Sequence, residues 1–385
     1  MNASLYIHVP YCLKKCDYCD FYSVPSSRDS GFSPYIETVV KEIASRKRLF
    51  GVDRWSTVYV GGGSPSLLSP MDIRALSEGI RPDLANDGEG ATEWTIEANP
   101  EDLSLDWLRA CEESGINRLS LGLQSLRDPA LAAIGRRGSA ALNLAALELA
   151  AANWNGRLSV DFIAGLPGLT DGELTDDLRR ALEYGPDHVS LYSLTIEEGT
   201  PLSKRILAKS IEMPDEDAAA AQWIAGRDYL ESNGLLQYEV SNFARPGCES
   251  RHNLTYWTLQ SYVGVGPGAT GTIRREKESF RYTDNRDIAA WMRDPTANTD
   301  NESISAVDTL AEAILMGFRL TRGVDRNAFK DRFDVDLATK IKKTAIKWQK
   351  KGLLEVSETR MNLNQEGLLV LNRFLVDCLE ELCDD

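Results

Sequence analysis

Leu5-Tyr6-Ile7-His8-Val9-Pro10-Tyr11-Cys12-Leu13-Lys14-Lys15-Cys16-Asp17-Tyr18-Cys19 carries an alternating, partly β-branched segment straight into three cysteines spaced C-x3-C-x2-C. Residues 4–9 read as a strand, so the cysteines sit on the loop that follows it. Thiolates at this density suit zinc or iron–sulfur chemistry. A closed structural zinc site wants four ligands, and no second Cys or His pair with zinc-like spacing follows. Three ligands leave one position open. On a cubane cluster ordinarily held by four cysteines, one iron then remains available to a small molecule. Idle core cysteines have no reason to crowd a single Pro-flanked loop.

Outward from this loop the chain alternates. Strand-like runs at 55–60, 93–98, 117–123, 158–164 and 188–196 are interleaved with helical spacing at 34–50, 70–80, 104–114, 139–152 and 172–184. This rhythm predicts an α/β fold with a parallel sheet and crossover helices. The cysteines follow the first strand, Gly61-Gly62-Gly63-Ser64-Pro65 the second, Glu97 ends the third, Gln124 ends the fourth and Asp161 lies within the fifth. A site contributed by the C-terminal ends of many strands favours a barrel over a doubly wound sheet with one crevice. Asp161 shares a strand face with Ser159 and Ile163, opposite Val160 and Phe162, which points it into the barrel. A cationic ligand or Arg136 is expected to relieve its charge there, and a structural Asp–Arg pair is the competing reading.

Beyond the rhythm come a helix at 215–232, a glycine-rich stretch at 262–271 and a polar linker at 294–305. The chain divides into a core over 1–240, an extension over 241–305 and a small, mainly helical, winged-helix-like domain over 306–385. Lys340 to Lys351 holds six lysines and no acid. A nucleic-acid-binding helix is one reading, but a solvated helix face suits a chain of 385 residues with net charge −15 far better. With 43 % apolar and 26 % charged residues, disorder and a collagen-like fibre are excluded. The beginning of the chain has no secretory pattern, and no apolar run approaches the roughly 20 residues that span a bilayer. A cytoplasmic protein without an integral membrane segment is expected, peripheral contact being left open.

The cysteine loop with Tyr18 resembles the radical S-adenosylmethionine (radical SAM) superfamily, whose fold is a partial (β/α)6 TIM-type barrel. Leu5 to Cys12, Cys19-Asp20-Phe21-Tyr22-Ser23, Tyr59 to Ser66, Glu97-Ala98-Asn99-Pro100, Ser120 to Ser125, Asp161 to Pro167, His252 to Trp257 and Gly317-Phe318-Arg319-Leu320 narrow the likeness. They resemble the branch containing oxygen-independent coproporphyrinogen III oxidase and the HemW-type heme chaperones. The resemblance implies that Cys12, Cys16 and Cys19 hold a 4Fe-4S cluster whose open iron takes S-adenosylmethionine. It further implies that Tyr6, Tyr18, Gly62, Gly63, Ser64 and Glu97 line that cofactor. Gln124, Arg136 and Asp161 resemble contacts to a second S-adenosylmethionine, and His252 resembles the residue proposed to ligate heme.

Phe21 stands where the oxidase has a fourth cysteine, and the first strand begins close to Met1; both features fit the chaperone. Gly138 replaces a usual histidine and Ser64 a usual threonine. The leading expectation is a heme-binding protein that passes heme to an acceptor hemoprotein, as a monomer or a cofactor-dependent homodimer, without nucleic acid. The alternative is a radical decarboxylase acting on coproporphyrinogen III. His8 and His188 are expected in packing roles. Cys248 is a lesser candidate for heme iron, and Cys111, Cys378 and Cys383 carry no assignment. Gly266-x-Gly268-x-x-Gly271 matches a dinucleotide fingerprint by letter, but Pro267 and the lack of a following helical stripe make it a turn.

Overall fold

The computed structural model describes residues 1–27, 31–85, 92–170, 172–275, 279–296 and 300–383. Six parallel strands follow the chain in order: β1 (Ala3–Val9), β2 (Trp55–Gly62), β3 (Glu93–Ala98), β4 (Arg118–Gln124), β5 (Arg157–Ala164) and β6 (His188–Ser193). Between them lie α1 (Ser33–Phe50), α2 (Pro70–Ile80), α3 (Leu105–Glu113), α4 (Asp128–Ala133), α5 (Ala140–Asn153) and α6 (Glu173–Leu182). The helices begin and end where local chemistry dictates. Pro34 opens α1, and Gly51 closes it in the left-handed region at φ 67°. Ser69 and Asp72 form a reciprocal capping box at the start of α2.

Alternation along the strands sorts two surfaces. Leu5, Ile7, Val9, Val58, Val60, Ile96, Leu121, Val160 and Leu191 join one core with Ile36, Val39 and Ile43 of α1 and with Leu174 and Leu178 of α6. Each such buried aliphatic side chain contributes roughly 1.5–3 kcal/mol. The other half of the alternation is polar, and its members bond to each other across the strands. Thr57 donates to Ser4 at 2.8 Å, Tyr59 to Glu97 at 2.6 Å and Ser120 to Asp161 at 3.3 Å, while Ser159 meets His188 at 2.8 Å. The barrel therefore has an apolar outside and a hydrogen-bonded inside.

After α7 (Pro201–Leu207) and α8 (Glu216–Ser232), β7 (Leu236–Gln237) and β8 (Asn242–Ala244) extend the sheet antiparallel beyond β6. Past α9 (Arg251–Trp257) the chain returns to the opposite edge. There β9 (Tyr262–Val265) pairs parallel with β1, and β10 (Thr270–Ile273), β11 (Ser279–Thr283) and β12 (Asp300–Ile304) follow antiparallel. Residues 300–304, expected within a linker, are thus an edge strand. Only Ile304 of that strand is buried, so pairing rests on the backbone and leaves no apolar alternation to read. Glu42 of α1 accepts from the Gly266 amide at 2.9 Å and the Trp291 indole at 3.0 Å, and Arg46 pairs with Asp284, which fastens the returning strands to the barrel.

The C-terminal unit has its own core, with Ile314, Phe318, Trp348 and Phe374 at its centre. It comprises α10 (Ala306–Gly317), a small antiparallel sheet of Val324–Asp325, Arg360–Leu363 and Leu354–Val356, and further helices ending at Leu371–Cys383. In the helix Lys342–Lys350, Thr344, Ala345 and Trp348 are buried and the lysines lie on the remaining face. Glu312 of α10 pairs with both Arg274 and Arg281, docking this unit on the returning strands. Among the described residues, no helix is long and apolar enough to cross a membrane.

Candidate functional site

The cysteine loop is tied down on every side. Val24 donates to the Pro10 carbonyl at 2.7 Å and Ser26 to the Cys12 carbonyl at 2.9 Å, closing the loop back on its own start. Asp17 receives the Arg205 guanidinium of α7 at 2.7 Å, and its own amide bonds to the Ile134 carbonyl at 2.9 Å. Tyr18 packs against Ala130, Ile134, Ile163, Leu166 and Leu169. Cys12 is buried, Cys16 and Cys19 are half-buried, and none is in a disulfide. Burial holds the Cys19 thiol above its ordinary range. Among the described residues, no three His, Cys, Asp or Glu side chains converge on a single-ion site. Three soft thiolate ligands on one loop are a donor set that would suit an iron–sulfur cluster.

The glycine run after β2 lies directly against this loop. Gly63 donates to the Val9 carbonyl at 2.7 Å and Ser64 to the Tyr11 carbonyl at 2.8 Å. A Cβ on Gly62, whose φ is 107°, would fall 2.5 Å from the His8 ring. On Gly63 it would fall 2.6 Å from the Tyr11 carbonyl oxygen. The backbone can come this near only without side chains. Beside it, Glu97 accepts from Tyr59 at 2.6 Å and from the Gly62 amide at 3.2 Å. Burial raises the Glu97 carboxyl to about 7, with nearby Asp161 adding to the effect. Asp161 is raised to about 6, chiefly by burial against the opposing bonds from Ser190 and Ser120. Two acids so poised in a polar cavity suit a cationic ligand, which favours their charged form.

Arg136 makes no ion pair with Asp161, so the competing reading of a structural Asp–Arg pair is not met, although its charge still favours the Asp161 anion. It donates to the Asn99 side-chain Oδ1 at 3.1 Å, to the Cys16 sulfur at 3.6 Å and to the Gly122 backbone carbonyl. Asp161 is hydrogen-bonded by Ser120 and Ser190, while Arg118 and Arg136 act on its charge without bonding to it. Gln124 ends β4 in the left-handed region at φ 66°, where its strand slips register against β5. Asn143 props the flanking backbone, donating to the Leu123 carbonyl at 2.9 Å and the Ser125 carbonyl at 2.8 Å. A non-glycine residue held there stores strain at the barrel mouth. Near Gly138, the buried Glu101 Oε2 has no partner, and a Cβ on Gly138 would lie 3.1 Å from it.

All three histidines are buried with both ring nitrogens engaged. His8 Nε2 donates to the Tyr22 carbonyl at 2.8 Å, which leaves Nδ1 to accept from the Tyr6 hydroxyl at 3.0 Å. His188 meets Ser159 and Tyr238 at 2.8 and 2.9 Å. His252, on α9, meets Thr57 at 2.8 Å and Tyr256 at 2.9 Å, and burial lowers its pKa to about 3. Its position near the N-terminal half of β2, with 1 % exposure, removes it from the cysteine loop. As an axial ligand it is unavailable in this structure, because both nitrogens are already spent. Cys248 is also remote from the loop, and its thiol faces Asp187 at 3.9 Å.

The residues brought together are thus Tyr6, Glu97, Gly62, Gly63 and Ser64 along the first two or three strands, with Gln124, Arg136 and Asp161 beyond them. Sequence reading assigned nothing to Asn99, Ser120, Ser190, Tyr22 or Asn143. Asn99 carried a signal, two positions after Glu97 at a strand end. The glycine-rich turn after β9 also has a place: a Cβ on Gly266 would lie 2.5 Å from the His8 carbonyl oxygen, and one on Gly268 2.9 Å from the Tyr22 ring.

Comparison with known proteins accords with this geometry. The radical SAM superfamily model matches residues 6–181, and the HemN C-terminal domain model matches residues 304–370. The chain is 36 % identical over 394 residues to the bovine (Bos taurus) protein named radical S-adenosyl methionine domain-containing protein 1, mitochondrial, covering 99 % of this chain and 88 % of that one. It is 31 % identical over 383 residues to the heme chaperone HemW of Bacillus subtilis, covering 98 % and 100 %. Among solved structures, coproporphyrinogen III oxidase from Escherichia coli shares the fold at a TM-score of 0.81, with 20 % identity over 98 % of this chain and 90 % of that one.

Proposed function

The chain belongs to the HemW-type branch of the radical SAM superfamily, and on that footing we propose that it binds heme and passes it to an acceptor hemoprotein. The family implies a 4Fe-4S cluster and S-adenosylmethionine. Cys12, Cys16 and Cys19 would hold the cluster, which supplies one-electron chemistry when bound. Tyr6, Tyr18, Gly62, Gly63 and Ser64 would line S-adenosylmethionine, with Glu97 meeting its positive charge. Gln124, Arg136 and Asp161 would bound the inner cavity. The observation that carries the reading is the nearly full-length identity to proteins named heme chaperones. Phe21 supports it: the ring is 67 % exposed where a fourth cysteine would otherwise stand, an apolar surface beside the cluster loop.

Anaerobic heme titration of the reconstituted protein tests the proposal. Stoichiometric uptake followed by transfer to an apo-hemoprotein is the expected result, and absence of stoichiometric binding removes the reading. Arg136 and Asp161 inside the mouth favour a second reading, oxidation of coproporphyrinogen III. Release of 5′-deoxyadenosine with protoporphyrinogen IX would establish it, and neither product appearing would exclude it.

A further inference from the structure

Two of the three cysteine sulfurs are joined by a chain of side chains from separate parts of the barrel. The Ser64 hydroxyl donates to Cys12 Sγ at 3.5 Å. That same oxygen accepts from Asn99 Nδ2 at 2.8 Å. On its other side, Asn99 Oδ1 accepts from Arg136 Nη1 at 3.1 Å, and Arg136 Nη1 also reaches Cys16 Sγ at 3.6 Å. Asn99 touches neither cysteine. Its amide fills the acceptor side of Ser64, so the hydroxyl hydrogen turns to Cys12. Its carbonyl oxygen holds the guanidinium toward Cys16.

We propose that Asn99 is a positioning residue that aims two hydrogen-bond donors, Ser64 and Arg136, at the sulfurs of Cys12 and Cys16 and thereby sets the reduction potential of the cluster they hold. The inference rests on the assignment of the cluster to these cysteines. Adding one electron to a cluster increases negative charge on its sulfurs. Donors aimed at those sulfurs stabilise the reduced form more than the oxidised form and raise the potential. Serine at position 64 makes this bond through a hydroxyl that threonine would also offer.

The test uses full-length protein reconstituted anaerobically, assayed for iron and sulfide, then titrated with dithionite through mediators while the reduced cluster is followed by electron paramagnetic resonance. Asn99→Leu is expected to hold as much iron as wild type yet reduce at lower potential. At the wild-type midpoint its ratio of reduced to oxidised cluster falls about tenfold, equivalent to about 59 mV for a one-electron couple. Ser64→Ala shifts in the same direction by less, and Ser64→Thr restores the wild-type value. Arg137→Gln, which loosens the adjacent Glu101 and Asp102 contacts without touching a sulfur, leaves the potential in place. A wild-type potential in iron-replete Asn99→Leu overturns the proposal, as does an equal shift in Ser64→Thr and Ser64→Ala. Loss of iron from both Asn99→Leu and Ser64→Ala also overturns it, since the chain would then support the loop rather than tune it. A wild-type protein that takes up no cluster fails the underlying assignment instead.

Discussion

The Tyr59 hydroxyl donates to Glu97 Oε1 at 2.6 Å, fixing a half-buried carboxyl whose pKa desolvation raises to about 7. Burial favours the neutral acid, whereas the Tyr59 and Gly62 donors favour the anion.

A cationic ligand binds the anion, so protonation competes with it. Affinity for S-adenosylmethionine is expected to weaken as pH falls through about 7. Tyr59→Phe removes a bond that stabilises the charged form, raises the Glu97 pKa further and moves this weakening to higher pH. Calorimetric titrations from pH 6 to 8.5 (~2.5 units spanning the transition) read the displacement; identical pH profiles would refute it.

Gly62→Ala places a Cβ 2.5 Å from the His8 ring on a residue at φ 107°. The clash and the backbone strain together cost on the order of 2–4 kcal/mol. Thermal unfolding should show a lowered midpoint, and the reconstituted variant should retain less iron because β2 and the cysteine loop are pushed apart.

His252→Ala leaves the Thr57 and Tyr256 hydroxyls without their imidazole partner and opens a cavity beside β2. A loss of about 2–4 kcal/mol in urea unfolding is expected. The spectrum of bound heme should match wild type, because the ring has no free nitrogen to offer iron. A changed Soret band with intact protein would restore His252 as a ligand and require α9 to leave its place.

Arg205→Ala removes the cation that holds Asp17 from α7. The pair is partly exposed, so its contribution is about 0.5–1 kcal/mol. A chelator should then strip iron from the reconstituted variant a few-fold faster, while overall unfolding shifts by no more than that amount; equal release rates would show that the loop does not depend on this strut.

Much of the barrel was legible because its signals are local. The strand spans at 55–60 and 93–98 and the helices at 70–80 and 104–114 follow from periodicity, and in the fold Ser69 and Ser104 cap the two helices. The resemblance placed Gly62 and Gly63 against a cofactor; the fold shows them close to His8 and to the Tyr11 carbonyl as well. The strands returning beyond Tyr262 were less legible, since β12 pairs through its backbone and carries four exposed residues, Asp300 to Ser303. Asn143, which interrupts an apolar helix, read only as an interruption; in the fold it satisfies two carbonyls flanking a strained Gln124.

The ligand chemistry is written in the chain: three thiols on one loop after a strand, with a glycine run and an acid at the ends of the next two. Periodicity also placed Asp161 on the polar face. The hydrogen-bond partners emerge only on packing. Arg136 serves Asn99 and Cys16 rather than Asp161, and His252 is spent on Thr57 and Tyr256. The reason is that hydrogen bonds are made between groups brought within about 3 Å by packing, and residues 37 or 195 positions apart in the chain carry no mark of that distance.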